Sequence, residues 1–226
     1  MPLPEELDRE GFAILPAVFS DEEVSRISPL IEACELKGAG ARELLRFDWC
    51  RKVAGMILER MVRIGVLDQS AVAIQCNLFS KRASSNWKVA VHQDLVMPVA
   101  APVDDERLSG WSVKDGVHYA RLPDPLLRKM LAVRLHVDAC LVGDGPLQVV
   151  PGSHREGALP VNTLASMADR LGRVRCEAQA GQLILMRPLL VHASSKATDP
   201  AGARRVLHYV FGPADPGYGL AWSSNL

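Results

Sequence analysis

The chain has 226 residues, 48% of them hydrophobic, which is apolar material for one sizeable core, so a single domain over 1–226 is expected. Its 26 Lys and Arg balance 26 Asp and Glu, so no net field favours nucleic acid or an anionic membrane surface, and a small-molecule partner is expected instead. No apolar run approaches the roughly 20 residues that span a bilayer, no basic and then apolar leader opens the chain, and five scattered cysteines without a C-x-x-C pair suit a reducing compartment, so a soluble, cytoplasmic protein with cysteines in its core is expected.

Gly11 to Pro16 reads as a short extended element closed by proline. Ser20-Asp21-Glu22-Glu23 reads as a helix start, because Ser20 can accept from the amide three residues on while Glu23 bonds back. The helix carries Val24, Ile27, Leu30 and Ile31 at helical spacing and stops before Gly38-Ala39-Gly40. A second helix, Asp48 to about Ile64, places Val53, Ile57, Met61 and Ile64 on one face. These helices make 1–66 a mainly helical flank to a strand-rich core over 67–226.

After Gly65 strands dominate. Ala71 to Phe79 is apolar but for Gln75 and Asn77, two polar residues on one strand face, which suits either a sheet edge or a view into a pocket. Asn86 to Val91 is next. The segment from about 98 to 125, with Pro102, Gly110, Gly116 and Pro123, is long for a loop, and its Trp111 and Tyr119 argue against disorder; it is expected to cover a site as a lid. Leu131 to Leu141, Leu147 to Val150, Val174 to Ala178, Gln182 to Met186, Leu189 to His192 and Arg205 to Phe211 read as further strands, with a helix from Asn162 to Leu171 capped by Asn162. Short strands between Gly and Pro turns indicate a sandwich or barrel.

Two tripeptides carry metal-ligand types at strand parity. In His92-Gln93-Asp94 an imidazole and a carboxylate point the same way, a pair that can hold a borderline-hard divalent metal. His136-Val137-Asp138 has the same spacing, with Arg134 on its strand face. His192 offers a third ligand to either. Spacing alone leaves both open.

The ordered set of Gly11-Phe12-Ala13-Ile14-Leu15, Trp87 to Asp94, Arg134 to Asp138 followed by Gly145-Pro146-Leu147, Pro151-Gly152-Ser153-His154, and Gly181-Gln182-Leu183 leading to His192 and Arg204-Arg205 resembles the phytanoyl-CoA dioxygenase family of iron(II)- and 2-oxoglutarate-dependent oxygenases. The resemblance implies a mainly β fold with flanking helices around a double-stranded β-helix, the cupin-like jelly-roll. It implies His92, Asp94 and His192 as iron ligands, leaving His136 and Asp138 on an inner strand. It also implies 2-oxoglutarate and O2 as cosubstrates. A guanidinium is suited to the far carboxylate of 2-oxoglutarate; Arg204 is expected in that role over Arg205, since strand alternation lets one of them face inward. Ser194 and Asn77 are expected to assist in cosubstrate binding, and Gln75, Trp87, Trp111 and His118 to contact the main substrate. Asp94 disfavours halogenation, which in related halogenases uses a small residue there to admit chloride. His154 is expected to tie its loop and His208 to be a satisfied barrel histidine. The implied reaction is hydroxylation of an unactivated C–H with release of succinate and CO2. Desaturation, cyclisation or epimerisation with the same cofactors is the alternative, and a cupin-like metal-binding protein without 2-oxoglutarate turnover is the alternative of another class.

Overall fold

The computed structural model describes residues 3–34, 40–82, 85–198 and 204–223. The residues Asp199-Pro200-Ala201-Gly202, whose proline and glycine read as a turn between the strands of His192 and Arg204, and the helix stop at Gly38-Ala39 lie outside the described residues. In chain order the elements are α1 (Leu3–Glu10), β1 (Phe12–Leu15), α2 (Asp21–Glu32), β2 (Gly40–Ala41), α3 (Asp48–Arg63), β3 (Ala71–Lys81), β4 (Val89–His92), β5 (Val96–Val99), β6 (Ser109–Lys114), β7 (Val117–Arg121), α4 (Asp124–Leu127), β8 (Leu131–His136), β9 (Leu147–Val149), α5 (Val161–Leu171), β10 (Val174–Cys176), β11 (Leu183–Met186), β12 (His192–Ser194) and β13 (Arg204–Pro213).

The strands form a six-stranded antiparallel sheet, β1-β11-β8-β13-β3-β2, and a four-stranded one, β10-β9-β12-β4. Their inner faces share one apolar cluster, with Ala132, Ile184, Met186 and Val210 of the large sheet packing with Leu147, Val149 and Cys176 of the small one. This is the jelly-roll. The outer face of the large sheet, including Cys76, Leu78, Val133, Leu135, Leu183, Leu207 and Tyr209, is covered by Val24, Ile27 and Ile31 of α2 and Cys50, Val53, Ile57 and Met61 of α3. Each fully buried side chain such as Ile57 or Leu135 contributes about 1.5–3 kcal/mol of burial. α5 packs Leu164 and Ala168 against Val150 and Val191, covering the small sheet. Among the described residues, no helix is long and apolar enough to cross a membrane.

Local chemistry explains the helix starts. The capping box at Ser20 and Glu23 forms as the spacing predicts, with both reciprocal hydrogen bonds present. α5 differs from expectation: it begins at Val161 after Pro160, so Asn162 lies inside the first turn and caps nothing. α1 is an element that sequence reading misses; it is only eight residues long, mostly polar, with Leu7 as its one buried side chain. Leu30 and Ile64, expected on apolar helix faces, are exposed, Ile64 because it caps α3 and is no longer helical. All five cysteines are free and buried.

The segment over 98–125 is not an irregular lid. β5, β7 and β6 make a third antiparallel sheet, and Asp115 and Gly116, both at positive φ, form the two-residue turn of the β6–β7 hairpin. Met97, Val99, Leu108, Ala120 and Leu122 anchor this sheet in the inner core cluster.

Where β13 pairs with β3, the register slips by one residue and leaves Ile74 without a partner. Beyond this bulge, alternation turns Gln75, Asn77, Phe79 and Lys81 towards the interior, where all four line a single cavity.

Candidate active site

A cavity of about 170 Å³ opens between the two sheets. The large sheet contributes the four β3 residues with Arg134, Arg204 and His208; Trp87, Val89, His92, Asp94, Leu147, His192, Ala193 and Ser194 complete the lining.

His92 on β4 and His192 on β12 are direct cross-strand partners. Asp94 follows β4, its amide donating to the Pro188 carbonyl at 2.9 Å. Gln93 points the opposite way, as strand alternation requires. Its buried amide donates to the carbonyls of Gly157 (2.8 Å) and Leu189 (2.6 Å) and accepts from the Leu159 N–H (2.8 Å), so the middle residue of the tripeptide staples it to two loops.

The carboxylate of Asp94 has His92 Nε2 at 3.6 Å from Oδ1 and His192 Nε2 at 3.6 Å from Oδ2. One ligand atom from each of these three residues lies within 4.8 Å of the others. Each imidazole is oriented from behind: His92 Nδ1 bonds the Ala90 carbonyl at 2.8 Å and His192 Nδ1 the Leu190 carbonyl at 2.9 Å. A carbonyl accepts only, so Nδ1 carries the proton and Nε2 presents its lone pair towards Asp94.

Asp94 and His192 are held in the protonation states that ligation needs. Burial would push Asp94 up, but His192, His92 and His208 outweigh it and hold the carboxyl well below its usual range. Burial brings His192 down to about 4, keeping it neutral. Burial lowers His92 as well, but the neighbouring Asp94 carboxylate outweighs this and leaves it raised, so a metal bound there would displace the proton that Asp94 favours on Nε2. A carboxylate and two converging imidazoles fit a divalent metal with open coordination positions, the donor set of non-heme iron(II).

The rival tripeptide does not converge. His136 is buried with neither ring nitrogen hydrogen-bonded, while Asp138, beyond the end of β8, turns to the outer face and grips Arg205, Oδ2 accepting from Nε at 2.7 Å and Oδ1 from Nη2 at 2.8 Å. Arg205 also reaches Glu32. Arg204, its neighbour, faces the cavity; it is 5% exposed, donates to the Gly145 carbonyl at 3.1 Å, and has no hydrogen-bond partner at Nε among the described residues. Beside it, Lys81 Nζ donates to Ser194 Oγ at 3.1 Å, to the Gly145 carbonyl at 3.3 Å and to the Ser195 carbonyl.

Residues 7–206 match the family described as phytanoyl-CoA dioxygenase. The chain belongs to that family. Membership of the phytanoyl-CoA dioxygenase family makes it one of the iron(II)- and 2-oxoglutarate-dependent oxygenases, whose third reactant is O2. Three solved structures with the same fold agree with this placement. EctD from S. alaskensis with bound Fe is 20% identical, with a TM-score of 0.67, covering 93% of this chain and 75% of that one. HygX from Streptomyces hygroscopicus with nickel and 2-oxoglutarate is 18% identical, with a TM-score of 0.63, covering 92% and 84%. The non-heme alpha ketoglutarate dependent epimerase SnoN from nogalamycin biosynthesis is 16% identical, with a TM-score of 0.69, covering 96% and 84%. No curated protein matches the sequence.

Of the residues singled out from the sequence, His92, Asp94, His192, Arg204, Ser194, Asn77, Gln75 and Trp87 all line this phytanoyl-CoA dioxygenase-like cavity. Trp111 and His118 do not, because the sheet that carries them packs elsewhere; Trp111 is 37% exposed and Tyr119 donates from its hydroxyl to Glu43 at 2.7 Å. His154 behaves as expected, bonding the Asp8 carbonyl through Nε2 at 3.2 Å.

His208 corrects the sequence reading. It lines the cavity with Nε2 3.7 Å from Asp94 Oδ2, and its Nδ1 accepts from Arg134 Nη1 at 3.2 Å. Lys81, Phe79, Val89, Leu147 and Arg134 are further lining residues. Lys81 had a signal in the sequence, the inward parity of Gln75, Asn77 and Phe79 carried one step on.

Proposed function

We propose that this protein is an iron(II)- and 2-oxoglutarate-dependent hydroxylase acting on an unactivated C–H of a small-molecule or carrier-bound substrate. In the balanced reaction, substrate, 2-oxoglutarate and O2 give hydroxylated substrate, succinate and CO2. The observation that carries the reading is one cavity joining a His–Asp–His triad to an inward, buried Arg204.

His92, Asp94 and His192 would hold the metal on one face. Iron(II), when bound there, supplies the coupling between decarboxylation of 2-oxoglutarate and insertion of oxygen into the substrate. Arg204 offers its fork to the far carboxylate of 2-oxoglutarate, with Ser194 and Lys81 as neighbouring donors. Asn77, which lines the cavity, would orient the cosubstrate through its amide N–H. Phe79, Val89 and Leu147 form apolar wall that keeps water from the reacting groups, and Gln75 and Trp87 are left for the main substrate.

A metal-binding module without 2-oxoglutarate turnover has no use for a buried guanidinium in the same cavity. Desaturation, cyclisation or epimerisation would use the same constellation, and the shared fold with the epimerase SnoN favours keeping product analysis as the arbiter. The test is succinate formation from 2-oxoglutarate with iron(II) under air. Uncoupled turnover supports the reading; none, at saturating 2-oxoglutarate and iron, rejects it.

A further inference from the structure

The chemistry above leaves one inward guanidinium unused. β8 carries Arg134 on the inner face of the large sheet, in the cross-strand row of His208 and Asn77. It is 7% exposed and lines the cavity. Nη1 donates to His208, Cζ stands 5.4 Å from the Phe79 ring centroid, and Nε has no hydrogen-bond partner among the described residues. Among the described residues no carboxylate forms an ion pair with Arg134, in contrast to Arg205, which is held by both Asp138 and Glu32. Asp94, among the described residues the one carboxylate lining the cavity, is taken up as a metal ligand in this reading.

A buried guanidinium without an anion is costly, because desolvation is not repaid by a partner. The cosubstrate does not account for it. Iron(II), Asp94 and 2-oxoglutarate together leave one negative charge, which Arg204 cancels, so Arg134 and Lys81 stand in surplus. Arg204 pairs in register with Lys81, whereas Arg134 pairs with His208 four residues further along β13, roughly 13 Å of strand away. The two guanidiniums therefore stem from different points along the inner face, one at the Ser194 end and one midway, beside His208 and Asp94.

We propose that Arg134 recognises an oxyanion on the main substrate, a carboxylate or a phosphate, so that the enzyme acts on an anionic small molecule. The planar fork matches both groups bidentately. This rests on the reading of the site as an iron and 2-oxoglutarate centre.

The test uses the full chain, loaded anaerobically with iron(II) and 2-oxoglutarate, in calorimetric titrations with hexanoate, hexyl phosphate and hexanamide. Wild type is expected to bind one or both anions at least ~10-fold more tightly than the amide, the scale of one charge-assisted hydrogen bond; which anion is preferred identifies the group. Arg134→Gln should lose the preference and Arg134→Lys retain part of it, while Arg134→Gln keeps its 2-oxoglutarate affinity within about twofold. Because it removes an uncompensated buried charge, Arg134→Met should raise Tm by roughly 2–4 °C. Equal binding of amide and anions, a preference that survives Arg134→Gln, a lower Tm in Arg134→Met, or a collapse of 2-oxoglutarate affinity in Arg134→Gln would each overturn the proposal, the last by giving this guanidinium to the cosubstrate. Failure of wild type to bind 2-oxoglutarate at all would instead reject the underlying reading, and the anion against amide comparison on the metal-free chain would still decide the role of Arg134.

Discussion

His92 and His192 meet as cross-strand partners with ring centroids 4.1 Å apart, each fixed by a carbonyl two residues behind it. The β4–β12 ladder thus sets the separation of the two imidazoles before any metal arrives. Preorganisation of this kind concentrates affinity in the ligand atoms themselves. Asp94→Ala is expected to lower the affinity for iron(II), or for manganese(II) as a surrogate, by more than about 100-fold, with the fold retained by circular dichroism. Anaerobic calorimetry measures it.

His208 faces the Asp94 oxygen that His192 also approaches. Because Nδ1 accepts from Arg134, the ring proton sits on Nε2 and is directed at the carboxylate. Burial, with Arg134 beside it, brings the imidazole down to about 3, which preserves that neutral tautomer. Replacing an orienting partner of this kind by His208→Leu should weaken metal binding roughly 10-fold while leaving the three ligands in place. Unchanged metal affinity would reduce His208 to a wall of the cavity.

Arg204 and Arg205 differ in face, and so should differ in phenotype. Arg204→Ala is expected to raise the Kd for 2-oxoglutarate by 10-fold or more with iron binding unaltered, since it removes a charge-assisted pair. Arg205→Ala breaks the two-pronged contact with Asp138 on the outer face and should cost about 2 kcal/mol of stability without touching 2-oxoglutarate affinity. Equilibrium titration and chemical denaturation separate the two effects.

Lys81 is buried beside Arg204, and burial first, then that guanidinium, bring it down to about 8 from its usual 10.5. Between these values the unfolded chain binds more protons at this site than the folded one, so stability rises with pH across the window and is lost again as pH falls through about 8. Lys81→Met should remove that contribution and flatten the rise of stability between pH 8 and 10.5, read by denaturation midpoints of the two proteins side by side. An unchanged slope would mean that the ammonium is solvated in the folded state.

Much of the site is legible in the sequence because it rests on parity. His92 and Asp94, and Gln75 and Asn77, sit two apart on extended chain, and alternation alone puts each pair on one face. The choice between His92-Gln93-Asp94 and His136-Val137-Asp138 was not legible from spacing, because what separates them is the end of β8 at His136, after which Asp138 swings out to Arg205. His208 was missed for a related reason: a lone histidine carries no local pattern, and its hydrogen-bond donor Arg134 is 74 residues away. The supposed lid had a signal that composition obscured. Asp115-Gly116 is a hairpin turn flanked by residues that pair, and it converts the segment into a sheet whose Trp111 and His118 do not line the cavity. At eight residues with one buried side chain, α1 is too short for its helical spacing to stand out in the sequence.

The union of the His–Asp–His triad and Arg204 in one cofactor site is tested most directly by anaerobic titration of the iron(II)-loaded chain with 2-oxoglutarate, followed by visible absorption. A charge-transfer band that saturates at one 2-oxoglutarate per iron, disappears in Asp94→Ala and needs at least ~10-fold more 2-oxoglutarate in Arg204→Ala is the predicted result. An iron-loaded chain that develops no such band at any 2-oxoglutarate concentration would contradict it.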